Sequence, residues 1–279
     1  MIVLITGCRS GFGLLTAVAA AKAGHRVYAG LRDLSTADGL RAAGKGLAIE
    51  PLQLDVTDPE QREQAVAFVL EREGRIDALI NNAGVALGGF QEQVEDDEIR
   101  KVFEVNVFGL WALTKCVLPT MRKQTSGIVV NVSSMAGRMA MPCMGIYAAS
   151  KFAVEGMSES LRHELRPFGI RVVLVEPGPY ETDIFSRNRQ LCRQAANKEG
   201  PYAAIQGQLE AFMEKRFAKG GLGDPNEVSD LIVGLLRKSG PRMRYPLGPS
   251  TSARLWMRRL LPFGLEEKLL DRLIGLKRV

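Results

Sequence analysis

Residues 2–13 read IVLITGCRSGFG, an apolar run that passes directly into a loop with three glycines. The run is typical of a buried strand, and a helical pattern begins at residue 11. Gly7 permits a tight turn, Gly11 lets the backbone approach a pyrophosphate, and Gly13 lets helix and strand pack closely. Because a strand precedes the glycines and a helix follows them, the pattern is more specific than three glycines alone. It predicts a dinucleotide-phosphate site at the N-terminus of the first helix.

The rest of the chain repeats this alternation of strand and helix. Further strands are predicted at 26–30, 47–55, 77–81, 127–132, 170–176 and 243–247. Helical patterns are predicted at 11–23, 59–73, 97–122, 150–166, 203–218 and 225–238. Near-continuous apolar strands separated by helices indicate a parallel sheet with helices on both faces. The prediction is an α/β fold, a doubly wound Rossmann-type parallel sheet of about seven strands.

The domain organisation follows from length and periodicity. A single domain is predicted for residues 1–250, since no linker divides it and 279 residues suit one large α/β domain. Within it, the segment 183–222 follows a strand and has weak periodicity, which is typical of a lid over a substrate site. Residues 251–279 are predicted to form a basic amphipathic helical tail.

Composition weighs against several classes of function. The net charge of +6 belongs to residues 240–279, which hold nine Lys/Arg and three Asp/Glu, whereas residues 1–239 hold 28 of each. The neutral body gives no support to nucleic-acid binding. No apolar run approaches the roughly 18 residues of a membrane-spanning helix, and the strand pattern from Ile2 leaves no room for a signal peptide. The four cysteines lack metal-ligand spacing, so we expect no metal and reduced thiols in a cytoplasmic protein.

The end of the second strand bears on the type of dinucleotide. An arginine there suits the 2′-phosphate of NADP, whereas a carboxylate suits the 2′-hydroxyl of NAD. Arg32 lies just past the strand and Arg9 lies in the glycine loop, so two guanidinium groups could bind one phosphate. Asp33 follows immediately and leaves NAD open as the alternative. NADP(H) is the favoured cofactor.

A second motif, YAASK at 147–151, places Tyr147 and Lys151 four residues apart with only small residues between them. On a helix, residues at this spacing lie on the same face. Taken alone, the pattern fits an ordinary solvated helix surface equally well.

Seven motifs occur in order along residues 1–180 and give this pair its context. They are TGxxxGxG (6–13), LDVTD (54–58), NNAG (81–84), EVNVFG (104–109), NVSSMAG (131–137), YAASK (147–151) and EPGPYET (176–182). In this order and spacing they resemble the classical short-chain dehydrogenase/reductase family.

The resemblance implies a catalytic group of Asn106, Ser134, Tyr147 and Lys151. The tyrosine would exchange a proton with a substrate oxygen, Ser134 would hold that oxygen, and Asn106 would hold a water beside the lysine. Ser134 is preferred to Ser133 because the family keeps this serine 13 residues before the tyrosine.

Lys151 is also expected to make the phenolate of Tyr147 attainable. The pKa of a phenol must fall from about 10 to near 7 for acid–base work at neutral pH. A cation ~4 Å away contributes roughly 4 kcal/mol at an effective dielectric of about 20, which covers much of that change. In the family this lysine also binds the cofactor ribose.

The resemblance and the two arginines together give a set of expected cofactor-binding residues. They are Gly7, Arg9, Ser10, Gly11, Phe12, Gly13, Arg32, Asp55, Val56, Asn82, Ala83, Gly84, Tyr147, Lys151, Pro177, Gly178 and Thr182. Asp55 and Val56 would contact adenine, residues 82–84 would lie behind the ribose, and the last three would close over the nicotinamide. Glu176, Tyr180 and Glu181 are left without a role, either facing the substrate or simply exposed.

The expected substrate is an apolar ketone/alcohol or aldehyde/alcohol pair, steroid-, retinoid- or lipid-like. Four methionines lie within the ten residues 135–144, just before Tyr147. Methionine is flexible and polarisable and lines adaptable apolar pockets, although any single one could equally fill a gap in the core. Phe185, Leu191 and Tyr202 would close the opposite side of such a pocket.

Assembly is predicted as a homodimer or homotetramer through helices 97–122 and 150–166, which carry Trp111, Leu113, Phe152 and Met157. In the tail, Leu265, Leu269, Leu270, Leu273, Ile274 and Leu276 recur at helical spacing. Such a helix could pack on its own domain or a dimer mate, or lie on an anionic membrane surface. A catalytically silent nucleotide-sensing or scaffolding protein is the alternative class, although such proteins typically lose the tyrosine or the lysine.

Overall fold

The computed structural model describes residues 1–182, 190–196, 200–218 and 222–275. Its strands are β1 Ile2–Thr6, β2 Arg26–Leu31, β3 Ile49–Gln53, β4 Ala78–Asn81, β5 Leu87–Gly88, β6 Gly127–Val132, β7 Ile170–Pro177, β8 Gln190–Leu191 and β9 Arg244–Leu247. Its α-helices are α1 Gly11–Lys22, α2 Asp38–Ala43, α3 Pro59–Glu73, α4 Asp96–Phe103, α5 Leu110–Gln124, α6 Gly145–Leu165, α7 Ala203–Ala218, α8 Asn226–Leu236, α9 Thr251–Leu260 and α10 Phe263–Ile274.

Seven of these strands form one sheet in the order β3–β2–β1–β4–β6–β7–β9, and every neighbouring pair is parallel. The predicted doubly wound sheet is therefore confirmed. The strand order reverses between β1 and β4, and in open α/β sheets ligands bind outside the carboxyl ends of the strands at this point.

The residues of β1 show why both faces of the sheet carry helices. Val3 and Ile5 belong to the core cluster that includes α1 and α8, whereas Leu4 belongs to the cluster that includes α3, α5 and α6. Successive side chains of a strand point to opposite faces. A strand buried on both faces must be apolar throughout, which explains the unbroken run at 2–6.

The glycine loop is packed against the start of the segment after β4. A side chain at Gly13 would place its first carbon 2.2 Å from the Gly7 carbonyl oxygen and 2.5 Å from the Asn82 side-chain nitrogen. Asn82 in turn donates hydrogen bonds to the carbonyls of Thr6 and Gly7, at 2.9 and 3.1 Å. The close packing predicted for Gly13 therefore involves backbone atoms, which cannot move aside as a flexible side chain would.

The helical pattern at 97–122 is not one regular helix. Between α4 and α5, residues Glu104–Gly109 form a π-helical turn, with Asn106 fully buried at its centre. Helical turns of this kind occur mostly as single insertions, frequently at functional sites. Asparagine is disfavoured in the interior of a regular helix, and here it lies where the helical backbone changes locally.

The continuous path from Asp96 to Gln124 is long and apolar enough, by length and composition alone, to cross a membrane. Half of its most apolar window is buried in the protein, with Val117 and Met121 packed in the core beneath the sheet. These contacts identify it as a core helix. Leu113, expected on a surface that another subunit would cover, is also fully buried in this core, so that part of the dimer argument is wrong.

Four buried polar side chains connect the middle of the sheet to α5 and α6. Asn81 on β4 donates to Thr114 on α5 and to Asn131 on β6, each at 2.9 Å. Asn131 donates to Ser158 on α6 at 2.8 Å. Buried hydrogen bonds of this kind fix α6 relative to the ends of β4 and β6.

The predicted C-terminal tail forms two helices, α9 and α10, rather than one. Thr251, the first residue of α9, is fully buried, and Ile274 at the end of α10 is nearly so. Residues 276–279, including Leu276, lie outside the described residues, as do 183–189, 197–199 and 219–221 of the expected lid. α6 begins at Gly145 rather than at residue 150, so Tyr147 lies in its first turn.

We predict that Gly13→Ala destabilises the protein by about 1–3 kcal/mol, because the added methyl group overpacks a site bounded by backbone. The urea midpoint should fall at an unchanged slope. Gly39→Ala in α2 is the matched control, since nothing lies within 4 Å of its added carbon. We expect that variant to be neutral or slightly stabilised, because alanine favours helix over glycine. Equal midpoints for both variants would contradict this account of the glycine loop.

Candidate active site

The four expected catalytic residues converge at the carboxyl end of the sheet, and all of them are buried. Ser134 follows β6, Asn106 lies in the π-turn, and Tyr147 and Lys151 lie on α6. The ammonium nitrogen of Lys151 lies 5.8 Å from the centre of the Tyr147 ring. Asn106 and Lys151 meet at Gly84, where an added side-chain carbon would be 3.3 Å from the Asn106 oxygen and 3.6 Å from the Lys151 nitrogen.

Lys151 is a cation held almost entirely inside the protein. Its nitrogen donates to the carbonyl oxygen of Val132, the last residue of β6, at 2.9 Å. Burial lowers the pKa of Lys151 to about 8, and the nearby charge of Glu155 opposes that change. An ammonium group has three N–H donors, so two remain for other acceptors in the cleft.

Tyr147 differs from the expectation that its pKa is low. Burial of the phenol raises its pKa to about 12, and a hydrogen bond with Ser134 only partly offsets this. A low-dielectric surrounding penalises the charged phenolate. In this structure Tyr147 is therefore a phenol at neutral pH and can donate a proton.

The side chain of Asn106 connects two segments of backbone. Its oxygen accepts from the Val85 N–H at 2.8 Å, and its amide donates to the Val85 carbonyl and the Ser150 hydroxyl, each at 2.9 Å. Ser150 then donates to the Tyr147 carbonyl at 2.7 Å. Both N–H groups of Asn106 are used, so the side chain fixes the first turn of α6 against the segment after β4.

The two adjacent serines have different environments. Ser134 lines the cleft, accepts from the Ala136 N–H at 3.1 Å and is in contact with Tyr147. Ser133 points at Gly137, where an added carbon would be 2.7 Å from its hydroxyl, and it is fully covered. The geometry is consistent with the choice of Ser134.

The glycine loop has the geometry of a phosphate site. Gly7 and Gly11 have φ angles of +71° and +56°, which other residues rarely adopt. α1 begins at Gly11 with Ser10 as its N-terminal cap, so its first N–H groups have no partner within the helix. Thr182 lies across the loop, 3.7 Å from the position of an added carbon at Gly11. These residues fit a dinucleotide pyrophosphate between the helix N-terminus and the segment after β7.

Arg9 and Arg32 are placed at the same end of the sheet. The Cys8 N–H donates to the Gly30 carbonyl at 3.0 Å, so the loop that carries Arg9 runs beside the end of β2. Both arginines are exposed, and within the described parts of the chain neither forms an ion pair. The Asp33 carboxylate is instead used locally, since it accepts from the Ser35 N–H at 2.9 Å and caps the turn Leu34–Thr36.

Other residues that were expected to bind the cofactor form contacts within the protein. The Asp55 carboxylate accepts from the N–H and hydroxyl of Thr57, at 2.9 and 2.8 Å. Val56 is buried against Gly109, and Asn82 and Ala83 pack under the glycine loop. Phe12 packs edge to face on Tyr180, with ring centres 5.5 Å apart.

Beyond β7, Gly178 contacts the start of the tail. An added carbon at Gly178 would lie 2.0 Å from the hydroxyl oxygen of Thr251, so α9 begins directly beside this segment. Tyr180 is buried between Gly223 and Gly248 and donates to Glu227 on α8 at 3.0 Å. It neither faces the substrate nor lies exposed, contrary to both alternatives considered from the sequence.

Glu176 also differs from those alternatives, since it is fully buried in a network of charges. Arg138 contacts it at 3.1 Å and Arg244 at 3.5 Å, while Arg244 also contacts Glu155 at 2.9 Å. Burial, and then the charge of Glu155, raise the pKa of Glu176 to about 7. One carboxylate oxygen of each glutamate has no hydrogen-bond partner among the described residues.

Tyr147 and Ser134 open onto a deep cleft with an apolar lining. All four methionines of the segment before Tyr147 contribute to it, namely Met135, Met139, Met141 and Met144. Gly88 and Leu191 line the opposite wall, where β5 pairs with β8, and Arg254 on α9 lines the cleft as well. Tyr202 stacks on the lining residue Phe90, with ring centres 4.3 Å apart, whereas Phe185 lies outside the described residues.

No group of acidic, cysteine or histidine side chains in the described ranges could hold a metal ion.

Comparison with known proteins supports the same assignment. The profile of the family described as short chain dehydrogenase matches residues 1–192. The uncharacterized oxidoreductase YusZ of Bacillus subtilis is 39% identical, with 97% of each chain covered. The 3-ketodihydrosphingosine reductase of Bacteroides thetaiotaomicron is 38% identical, covering 89% of this chain and 88% of the relative. The human 17-beta-hydroxysteroid dehydrogenase type 1 is 36% identical, covering 88% of this chain and 76% of the relative.

Solved structures agree. A short-chain dehydrogenase from Streptomyces avermitilis superposes with a TM-score of 0.81 at 35% identity, covering 97% of this chain and 95% of the other. A short chain dehydrogenase/reductase from Burkholderia phymatum in complex with NAD gives 0.76 at 30% identity, covering 93% and 92%. A variant of the actinorhodin polyketide ketoreductase with NADPH gives 0.73 at 29% identity, covering 90% and 96%. The chain belongs to the short-chain dehydrogenase/reductase family.

Proposed function

We propose that this protein is an NADP(H)-dependent oxidoreductase that interconverts a ketone or aldehyde and an alcohol on a mostly apolar molecule. The observation that carries the proposal is the position of Tyr147 and Ser134, whose hydroxyl groups lie together at an apolar cleft. A carbonyl oxygen bound there can receive one hydrogen bond from each hydroxyl. Oxidoreductase activity is the activity of the family.

The cofactor is proposed to lie along the carboxyl ends of the strands. The glycine loop and the N-terminus of α1 would hold its pyrophosphate, Lys151 would bind its ribose, and residues 177–182 would cover its nicotinamide end. When bound, the nicotinamide supplies or accepts a hydride.

Tyr147 would transfer the proton that accompanies the hydride. In carbonyl reduction, its phenol donates a proton to the substrate oxygen as that oxygen becomes an alcohol. The raised pKa of Tyr147 supports this direction at neutral pH, because the phenol is then the populated form. Alcohol oxidation uses the phenolate, whose population rises with pH.

Lys151 would stabilise the negative charge that develops on Tyr147 only while the lysine itself is protonated. With a pKa of about 8, its charge is lost as the pH rises through that value. Glu155 lies one helical turn after it and raises the pKa of Lys151. We propose that Glu155 keeps the lysine charged at neutral pH and is thereby a positioning residue of the site.

The preference for NADP over NAD is proposed on the residues at the end of β2. Arg9 and Arg32 are exposed there and could both bind a 2′-phosphate, whereas the Asp33 carboxylate is used in capping a turn. Solved relatives carry either NAD or NADPH, so the arginines are the basis of the proposal.

An apolar substrate is proposed on the lining of the cleft. Four methionines form much of the wall, and methionine side chains adapt to large apolar ligands. The names of two relatives refer to steroid and sphingosine chemistry, which supports the same class. The segment 183–222 is proposed to cover this substrate, with Leu191 at its wall.

We also propose an oligomeric state and a cellular location. Phe108 and Phe152 are 54% and 44% exposed on the helices expected to form a subunit contact, which supports a homodimer or homotetramer. All four cysteines lie in the described part of the chain and no disulfide joins them, in accord with a reducing, cytoplasmic location.

We predict that Tyr147→Phe lowers turnover at least about hundredfold while NADPH affinity stays nearly unchanged, because only the acid/base hydroxyl is removed. Lys151→Met should impair both turnover and NADPH binding. An NADPH-consumption assay on apolar ketones and fluorescence titration measure the two quantities. Tyr28→Phe is the control, since its hydroxyl contacts Glu73 outside both the catalytic group and the cleft. Retention of more than a few percent of turnover by Tyr147→Phe would contradict the proposed acid–base role of Tyr147.

We predict tighter binding of NADPH than of NADH. Arg32→Ala and Arg9→Ala should each weaken NADPH binding roughly tenfold to a hundredfold, the worth of a hydrogen bond to a charged group, with little effect on NADH. Arg41→Ala, an exposed arginine on α2, is the control for nonspecific loss of charge. If wild type binds NADH equally well or better, Asp33 replaces the arginines as the ribose ligand.

We predict that Glu155→Gln moves the high-pH limit of carbonyl reduction to lower pH. Loss of the carboxylate charge removes the influence that raises the pKa of Lys151, so the ammonium is lost at lower pH. The pH profile of kcat/KM measures this limit. Glu159→Gln is the matched control, because Glu159 is exposed on the same helix and also contacts Arg244. Identical profiles for wild type and Glu155→Gln would exclude this role.

A further inference from the structure

Exposed apolar side chains are concentrated at the C-terminal end of the described chain. Of eleven large apolar residues that are exposed in the described ranges, six lie within residues 256–269. They are Trp256, Met257, Leu260, Phe263, Leu265 and Leu269. Trp256 is 65% and Phe263 71% exposed. Scattered exposed hydrophobic residues are ordinary on a protein surface, whereas a contiguous group marks an interaction site.

Apart from Phe263, which lies two residues before Leu265 and therefore on another side of α10, these side chains lie on the side of α9 and α10 that faces away from the domain. Trp256 and Leu260 are four residues apart on α9, and Leu265 and Leu269 are four apart on α10, so each pair shares one helix face. The residues that attach the helices to the domain are different ones. Thr251 is fully buried at the start of α9, and Ile274 is 4% exposed at the end of α10. We call the outward side the α9–α10 face.

Exposed cations lie beside the apolar side chains of α10, and Glu266, which lies three residues before Leu269, forms an ion pair with Arg258 at 3.7 Å. Lys268 lies three residues after Leu265, and Arg272 three residues after Leu269, so both cations lie beside the apolar side chains and are exposed. Glu267 and Asp271 each lie two residues after one of these leucines, a spacing that places them on another side of α10. The face is therefore apolar with a basic edge, and long cationic side chains can reach outward to negative groups beside a buried apolar surface.

This combination favours a lipid surface over a second copy of the chain. An apolar helix face edged by lysine and arginine binds the boundary between headgroups and acyl chains of an anionic membrane. A twofold contact between two copies would use the same patch on both, and would bring the cationic edges near each other.

The helix α9, which carries part of the face, also contributes to the substrate cleft. Arg254, in the first turn of α9, lines the same cleft as Tyr147 and the four methionines. Arg258, one turn farther, donates to the Arg138 carbonyl at 2.6 Å and so ties α9 to the segment that carries those methionines. α9 thus carries part of the face on its outer side and lines the cleft with Arg254 on its inner side.

We propose that the α9–α10 face binds the surface of an anionic membrane, and that the apolar substrate enters the cleft from it. The second part rests on the proposed function. The first part depends only on the exposed side chains and their charges.

Flotation of the purified full-length chain with lipid vesicles tests the membrane surface. Wild type should float with vesicles of phosphatidylcholine and phosphatidylglycerol, and less with phosphatidylcholine alone. Added salt should weaken the binding, because the screening length falls to about 3 Å at 1 M ionic strength. Failure of the wild type to float with the anionic vesicles overturns the proposal.

Two double variants test the face itself. Trp256→Ser with Leu260→Ser, and Lys268→Glu with Arg272→Glu, should each lower partition into anionic vesicles at least tenfold. Phe168→Ser, an exposed apolar residue elsewhere, and Arg41→Glu with Lys45→Glu are the matched controls and should bind as wild type does. An unchanged urea midpoint of each variant verifies that the domain is folded. Equal flotation of variants and wild type overturns the assignment of the face. The assignment is also overturned if the protein does not bind vesicles and light scattering shows that Trp256→Ser with Leu260→Ser splits an assembly of several copies into smaller ones.

Measurements of turnover distinguish a failure of the proposed route of entry from a failure of the proposed function. With an apolar ketone dissolved in anionic vesicles, Trp256→Ser with Leu260→Ser should reduce the rate, and with a small water-soluble ketone it should not. An unchanged rate on the vesicle-dissolved ketone overturns the route of entry. If wild type reduces no carbonyl at all, the proposed function fails and the route with it, while flotation still decides whether the face binds lipid.

Discussion

A lysine ammonium is held inside this protein, and much of the polar structure around the cleft compensates for it. Lys151 is bound by the carbonyl at the end of β6 and lies one helical turn from Glu155. Glu155 contacts Arg244 on β9, which also contacts Glu176 on β7. Removing one partner from a buried set of charges leaves an uncompensated charge, which costs several kcal/mol. Through Glu155 and Arg244, the surroundings of this one cation thus connect α6 with β7 and β9.

The sequence could predict the sheet because each strand is buried on both faces and must be apolar throughout. It could also indicate that Tyr147 and Lys151 share one face of a helix, from their four-residue spacing, whereas the choice of Ser134 as their partner came from the resemblance to the family. Contacts between residues that lie far apart in the chain could not be predicted from the sequence. The bonds of Asn81, Thr114, Asn131 and Ser158, and the burial of Glu176, depend on segments far apart in the chain.

The pKa of Tyr147 is the clearest case in which a local argument fails. Four-residue spacing on a helix predicted the neighbouring cation, and the distance then assumed predicted a large effect. Spacing contains no information on how deeply a ring is buried. Burial raises the pKa of Tyr147, whereas a neighbouring cation would lower it. Similarly, Leu113 was expected at a subunit contact, whereas it packs in the core, because periodicity alone does not separate a core-facing residue from an interface-facing one.

Arg244 belongs to the last strand of the sheet, near the end of the chain. During synthesis, domains fold from the N-terminal side as the chain emerges, and the residues before Arg244 include all three glutamates that it contacts, of which Glu155 and Glu176 are buried. Until Arg244 leaves the ribosome, Glu155 and Glu176 lack the guanidinium group that contacts both of them in the folded protein. The same holds for Gly178, which packs on Thr251. The buried contacts beside the cleft are thus complete only once nearly the whole polypeptide has been made, and a nascent chain that stops short of β9 holds the first strands and helices of the sheet without them.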